Sequence, residues 1–134
     1  MKLLGLLIDV SGKHGRICEK EIADDEVLDN FYNALDCSTI DITQRSIGGR
    51  VFDIVCDDEG LLKENAKPTA IRKDGKIMLV GNLFICNHYK ENLASLSKED
   101  CKFIFDNVGV VSYKLPNGVA FTSPILMNVN YPRM

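Results

Sequence analysis

Ile47 to Asn87 reads IGGRVFDIVCDDEGLLKENAKPTAIRKDGKIMLVGNLFICN. Two apolar runs, Val51 to Cys56 and Ile77 to Cys86, enclose a polar connection rich in turn residues. The runs have the length and composition of central strands, and turn chemistry bounds both. The connection between them is where binding chemistry is expected.

Working outward, Ile40 and Ile42 alternate with Asp41 and Thr43, which predicts a strand with one wet face. Gly48-Gly49 can adopt positive φ, so this strand and the Val51 run form a hairpin. Asp74-Gly75 is a second turn signal, and Lys76 to Asn87 is expected to follow as one long strand. Gly81 inside it suggests a bulge or the close approach of another backbone or a ligand. From Leu61 to Asp74 there is no clean period, with Leu61 and Leu62 as anchors and Pro68 opposing a helix.

At the N-terminal side, Leu3 to Val10 is continuously apolar, as a strand buried on both faces would be. Its apolar run is too short and too soon interrupted for a signal peptide, and no run reaches the ~20 residues of a membrane span. Ser11 to Gly15 turns the chain, and Arg16 to Ile22 returns along a neighbour. Asp24 and Asp25 are expected to open a helix to about Asp36, their carboxylates serving the first-turn amides. Val27, Leu28, Phe31 and Leu35 form its apolar stripe. On the C-terminal side, Ser97 and Asp100 form a capping box for a helix with Cys101, Ile104, Phe105 and Val108 on one face and Gly109 at its end. Val110 to Tyr113 and Val119 to Thr122 flank Pro116-Asn117-Gly118 as a hairpin. The apolar residues of the tail, 123–134, are available to dock on the body or on a second subunit.

The resulting expectation is a single α+β domain over residues 1–134. It has a mostly antiparallel, twisted sheet of about five to seven strands with helices at about 25–36 and 98–108. A chain of 134 residues, 46% apolar and 26% charged, suits one soluble domain. A net charge of −3 disfavours direct nucleic-acid binding through phosphate neutralisation. Five cysteines, an odd number without CxxC spacing, imply free thiols in a reducing cytoplasm.

The middle of the chain resembles the family called domain of unknown function 3846. The resemblance rests on Gly48-Gly49, the run Phe52 to Leu61, Lys63-Glu64-Asn65, Pro68, Met78 to Ile85, and Ser95-Leu96 with the acidic helix start after it. It covers roughly residues 40–108, with the N-terminus compatible and the tail beyond Gly109 particular to this chain. These are small proteins of phages, plasmids and gut anaerobes. The resemblance implies a mobile-element origin and an α+β fold, and brings no catalytic residues.

The catalytic patterns are weak. Cys86 and His88 fall on one side of a strand without in-line geometry, which fits a core thiol beside an exposed histidine. Asp57, Asp58 and Glu59 could hold a hard cation but lack calcium-loop spacing, so a solvated turn is the simpler reading and no metal or cofactor is expected. Gly48-Gly49 is followed by neither GK[ST] nor a helix, and is no phosphate loop. The acids Glu19, Glu21, Asp24, Asp25, Glu26, Asp29, Asp36 and Asp41 read as a solvated face, or alternatively as a surface for a basic partner.

Polar residues near the strand ends form the candidate ligand set: Arg50, Asp57, Glu59, Asn65, Arg72, Asn82, Asn87 and His88. Asn82, inside an apolar run, must satisfy its amide with backbone or with a ligand. Arg72 and Lys73 could meet a phosphate. The function expected is that of a non-catalytic binding protein countering host defence, by sequestering a small ligand such as a nucleotide signal or by masking a host protein. An acidic module that inhibits a nucleic-acid enzyme is the alternative, and a small hydrolase using Asp57 and Glu59 comes last. No membrane partner is expected, and a homodimer is compatible with the edge strands and tail.

Overall fold

The computed structural model describes residues 2–59 and 66–132. It is an α+β structure with two sheets, and the larger has seven strands, as expected. Its strands are β1 (Lys2–Asp9), β2 (Arg16–Ala23), β3 (Ile40–Ile47), β4 (Arg50–Asp57), β7 (Leu83–Tyr89), β8 (Asn92–Ala94) and β11 (Val129–Asn130). The order is β11-β3-β4-β7-β1-β2, with β8 also pairing on β7, and each of these pairings is antiparallel. A second sheet was not anticipated. It runs β6-β5-β10-β9, from β6 (Ile77–Val80), β5 (Pro68–Ile71), β10 (Ala120–Leu126) and β9 (Val108–Lys114), with β10 parallel to β5.

The two apolar runs of the opening stretch therefore have different fates. Val51 to Cys56 lies inside β4 and pairs with β3 through the Gly48-Gly49 hairpin, both glycines having positive φ. The expected long strand from Lys76 is broken in two at Gly81-Asn82, and its halves belong to different sheets. Gly81 takes φ +78, and among the described residues nothing lies within 4 Å of where a Cβ would stand, so it serves the change of direction rather than a close approach. Its N–H donates to Lys67 O at 2.8 Å. Leu61 and Leu62 lie outside the described residues.

Alternation along the strands separates two apolar layers. Leu6, Ile8, Phe52, Ile54, Leu83 and Ile85 face the second sheet and a helix, α2 (Lys98–Phe105), sharing one core with Ala70, Leu126, Cys101 and Ile104. Leu7, Val55, Phe84 and Cys86 face the other helix, α1 (Val27–Leu35), and meet Phe31 and Leu35. Phe31 packs edge-on to Phe84 with ring centroids 5.4 Å apart. The tail docks on the body, Val129 and Asn130 pairing with Ile47 and Ser46.

Both helices are shorter than expected. α1 starts at Val27, behind Glu26 in a left-handed conformation with no side-chain cap bond. The residue at the cap position is therefore Glu26, one beyond the expected Asp24 and Asp25. Leu28 is 55% exposed and Val27 is also open, because Phe31 and Leu35, four residues apart, already cover the sheet. α2 has the expected capping box, but it ends at Phe105. Phe105 is exposed, and Val108 and Gly109 start β9 instead of continuing the helix face.

Candidate functional site

The eight candidate residues do not converge on one place. Asp57, Glu59 and Asn82 lie towards the far end of β4 and the start of β7. Arg50, Asn87 and His88 lie at the opposite end of the same strands. Arg72 lies just past β5 of the second sheet, and Asn65 falls outside the described residues.

At the first end, polar groups serve the backbone. Asn82 is buried, accepts from Val10 N at 2.7 Å and donates to Leu35 O at 3.2 Å, which stitches the corner between the sheets to β1 and α1. Asp57 accepts from Glu59 N at 2.9 Å, shaping the turn after β4. Arg72 pairs with Asp74 across the Gly75 turn, and this guanidinium beside the exposed Asp74 carboxyl holds it down at about 2. Among the described residues, no group of three His, Cys, Asp or Glu side chains is placed to hold a metal ion.

At the other end, the two faces of β4 and β7 differ. On the α2 face, Arg50 and Asn87 both reach Asp100, which also closes the capping box with Ser97 N. Arg50 lies 4.7 Å from the Phe103 ring centroid, so its plane is packed as well as paired. Burial pushes the Asp100 carboxyl up, but hydrogen bonds from Ser97 and the Arg50 guanidinium outweigh it and hold the group below the usual range. This cluster is a satisfied structural joint.

On the α1 face, Asp53 is 7% exposed within an apolar strand, and its Oδ1 stands 3.3 Å from His88 Nδ1. Both atoms are sealed from solvent, and neither completes a hydrogen bond of good geometry. The His88 side chain as a whole is 34% exposed, so its open part is the ring edge away from Nδ1. With the Asp53 carboxylate behind Nδ1, the Nε2 side of the ring is the one left to meet a ligand. Cys86 lies opposite Asp53 on the same face, and burial followed by the Asp53 charge pushes its thiol up to about 12. A thiol so held is no nucleophile at neutral pH.

Beside this pair is a groove of about 680 Å³. Leu3, Ile22, Val27 and Leu93 supply apolar surface, and Lys2, Asp24, Tyr89, Asn92 and Ser95 supply polar groups. It opens where β8 separates the start of β1 from β7: Leu4 N donates to Ser95 Oγ, and Leu96 N to Leu4 O, each at 2.9 Å. Leu93 is the cross-strand partner of His88, so the ring sits one residue from the groove.

Two parts of this region were missed in the sequence. Asp53 had a signal, an acid between Phe52 and Ile54 in a buried run. The groove had none, since Leu3 reads as core and Leu93 as loop.

A family model described as Domain of unknown function (DUF3846) matches residues 1–109. The chain belongs to that family. The match extends the resemblance of residues 40–108 to the N-terminus, and it takes in every described member of the 680 Å³ groove. In this DUF3846 member, β10 and β11 lie beyond the matched residues. No curated protein and no solved structure matches the chain.

Proposed function

We propose that this is a non-catalytic small-ligand-binding protein whose site is the groove of Leu3, Ile22, Val27 and Leu93. The observation that carries the reading is an apolar concavity with a polar rim, flanked by a histidine that has a buried carboxylate behind its ring. Ligand sites usually combine apolar walls with a few placed polar groups. The reactive groups nearest to it fit binding better than chemistry, since the Cys86 thiol is buried and raised to about 12. The phage and mobile-element setting implied by the resemblance gives a biological role, sequestering a nucleotide defence signal in the host cytoplasm. Among the described residues no helix is long and apolar enough to cross a membrane.

The test is isothermal titration against cyclic and ADP-ribose-type nucleotides, with melting temperature followed in parallel. Heat and a rise in Tm with the native chain, both lost in Val27→Glu, support the reading. Val27 is partly exposed in the first turn of α1, where an acid is tolerated, so the variant should fold normally. No heat and no rise with any member removes this ligand class and leaves the masking of a host protein to be tested by pull-down.

A further inference from the structure

β3 is paired along one edge only for most of its length. β4 holds it from Ile40 to Ile47, whereas β11 covers it at Ser46 and Ile47 alone. The tail stops pairing there for a chemical reason. Continuing the register would set Pro132 opposite Gln44, and proline has no N–H to donate. Among the described residues, no strand then takes the lane beside Ile40 to Gln44.

The alternation of antiparallel pairs says which backbone groups face that lane. Ile47 and Arg50 close the two-residue hairpin, so Ile47, Arg45, Thr43 and Asp41 bond inward to β4. Gly48 N donates outward to Asn128 O at 3.1 Å, in phase with Ser46, Gln44 and Ile42. The Gln44 carbonyl is taken by Arg45 Nη1 at 3.0 Å. The Gln44 N–H and both backbone groups of Ile42 are left facing the lane.

The side chains there do not guard the edge. β2, at the opposite edge of the same sheet, carries Glu19, Lys20 and Glu21. Ile40 to Gln44 has no lysine, no proline and no register shift. Ile42 is 49% exposed on the α1 face. Asp41 is exposed on the other face, with no ion pair among the described residues. Asp58 and Glu59, also exposed, lie beside the start of the edge, where Asp58 N donates to Thr39 O at 3.3 Å. Residues 36–44 and 51–59 include no Lys or Arg. A second copy added about Ile42 would set Asp41 diagonal to its own twin, like charge near like. The register that opposes Asp41 to Arg45 instead runs into Asn130, which already pairs with Ser46.

We infer that this edge accepts an extended segment of a partner protein, added antiparallel to β3, in which apolar residues alternate with Lys or Arg. An apolar side chain lies beside Ile42 and a cation opposite Asp41. Main-chain bonds supply the affinity and the alternation supplies the selectivity. The surface is separate from the groove of Leu3 and Val27, so it goes beyond the small-ligand reading.

The probe is a short fluorescein-labelled peptide of alternating Lys and Val, followed by anisotropy. The native chain should bind it at least about tenfold tighter than a Glu–Val counterpart or an isomer with the same residues in helical period. In an antiparallel pair the residue opposite Ile42 turns its N–H to β3, and that residue is a Val. N-methylating the Val amides should therefore abolish binding, and N-methylating the Lys amides should leave it. Asp41→Lys should weaken binding about fivefold, since it sets like charges opposite each other. Asp41 is exposed, so this variant should keep the native Tm and the native nucleotide titration of the groove. Equal binding of the three peptides, no binding of the Lys–Val peptide, binding that survives Val methylation, or native affinity in Asp41→Lys overturns the inference. A dimer in light scattering that Ile42→Lys dissociates gives the edge to a second copy and overturns it as well. Failure of the nucleotide titration bears on the groove alone.

Discussion

Arg50 and Asn87 share strands β4 and β7 with Asp53 and His88, and the thickness of one sheet separates the two sets. On the α2 face, Asp100 gathers Arg50, Asn87 and the Ser97 amide, and the polar groups have partners within the protein. On the α1 face, Asp53 Oδ1 and His88 Nδ1 are sealed at 3.3 Å without a completed hydrogen bond, and the open edge of the ring faces outward beside a groove. Polar residues on the same two strands therefore do different work. A satisfied cluster joins a helix to a sheet, whereas a histidine with an open ring edge next to a concavity is available to something else.

The largest expected effect belongs to the satisfied face. Asp100→Ala removes a capping partner and leaves Asn87 and Arg50 without their acceptor, which should cost about 2–3 kcal/mol in urea unfolding. Half-exposed Arg50 can turn to water, which keeps the loss below that of a fully buried pair. Ligand binding should be unchanged. Asn82→Ala should come next, at about 2 kcal/mol, because it strands the buried Val10 amide and the Leu35 carbonyl. A loss of binding in Asp100→Ala with little loss of stability would reverse the roles of the two faces.

A smaller effect is acid sensitivity. The folded Asp100 carboxyl lies below its unfolded value near 4, so its contribution is full above about pH 4 and fades as pH falls through the folded value. Asp100→Asn should flatten that acid limb in a series of unfolding curves, and an unchanged limb would remove Asp100 as its source. The smallest effect is expected for Asp57→Ala with Glu59→Ala. These residues shape an exposed turn, so the double variant should stay within about 1 kcal/mol and keep ligand affinity. Affinity lost there would move the site to the other end of the sheet.

Most of the larger sheet was legible because its strands are apolar runs bounded by turn residues, as at Leu3 to Val10 and Val51 to Cys56. The second sheet was less so. β5 is four residues long and pairs in parallel with β10, far along the chain, and no local pattern reports such a partner. The break at Gly81-Asn82 had a visible signal, a glycine beside an amide in an apolar run. What it meant depended on Val10 and Leu35, which only folding brings there. The candidate site was legible in part, since His88 could be named from the sequence. Its distinction from Arg50 and Asn87 could not, because strand alternation places them on opposite faces and what covers each face is tertiary. Leu3, Val27 and Leu93 look like ordinary apolar residues until β8 separates the start of β1 from β7.

The most direct test of the account is an amide chemical-shift map of the uniformly labelled protein titrated with cyclic and ADP-ribose-type nucleotides. The account predicts that the shifts centre on Leu3, Val27 and the segment from His88 to Leu93, with Asp57, Asp74 and Asp100 still. Shifts centred on Arg50, Asn87 and Asp100, or on the Asp57 turn, would contradict it.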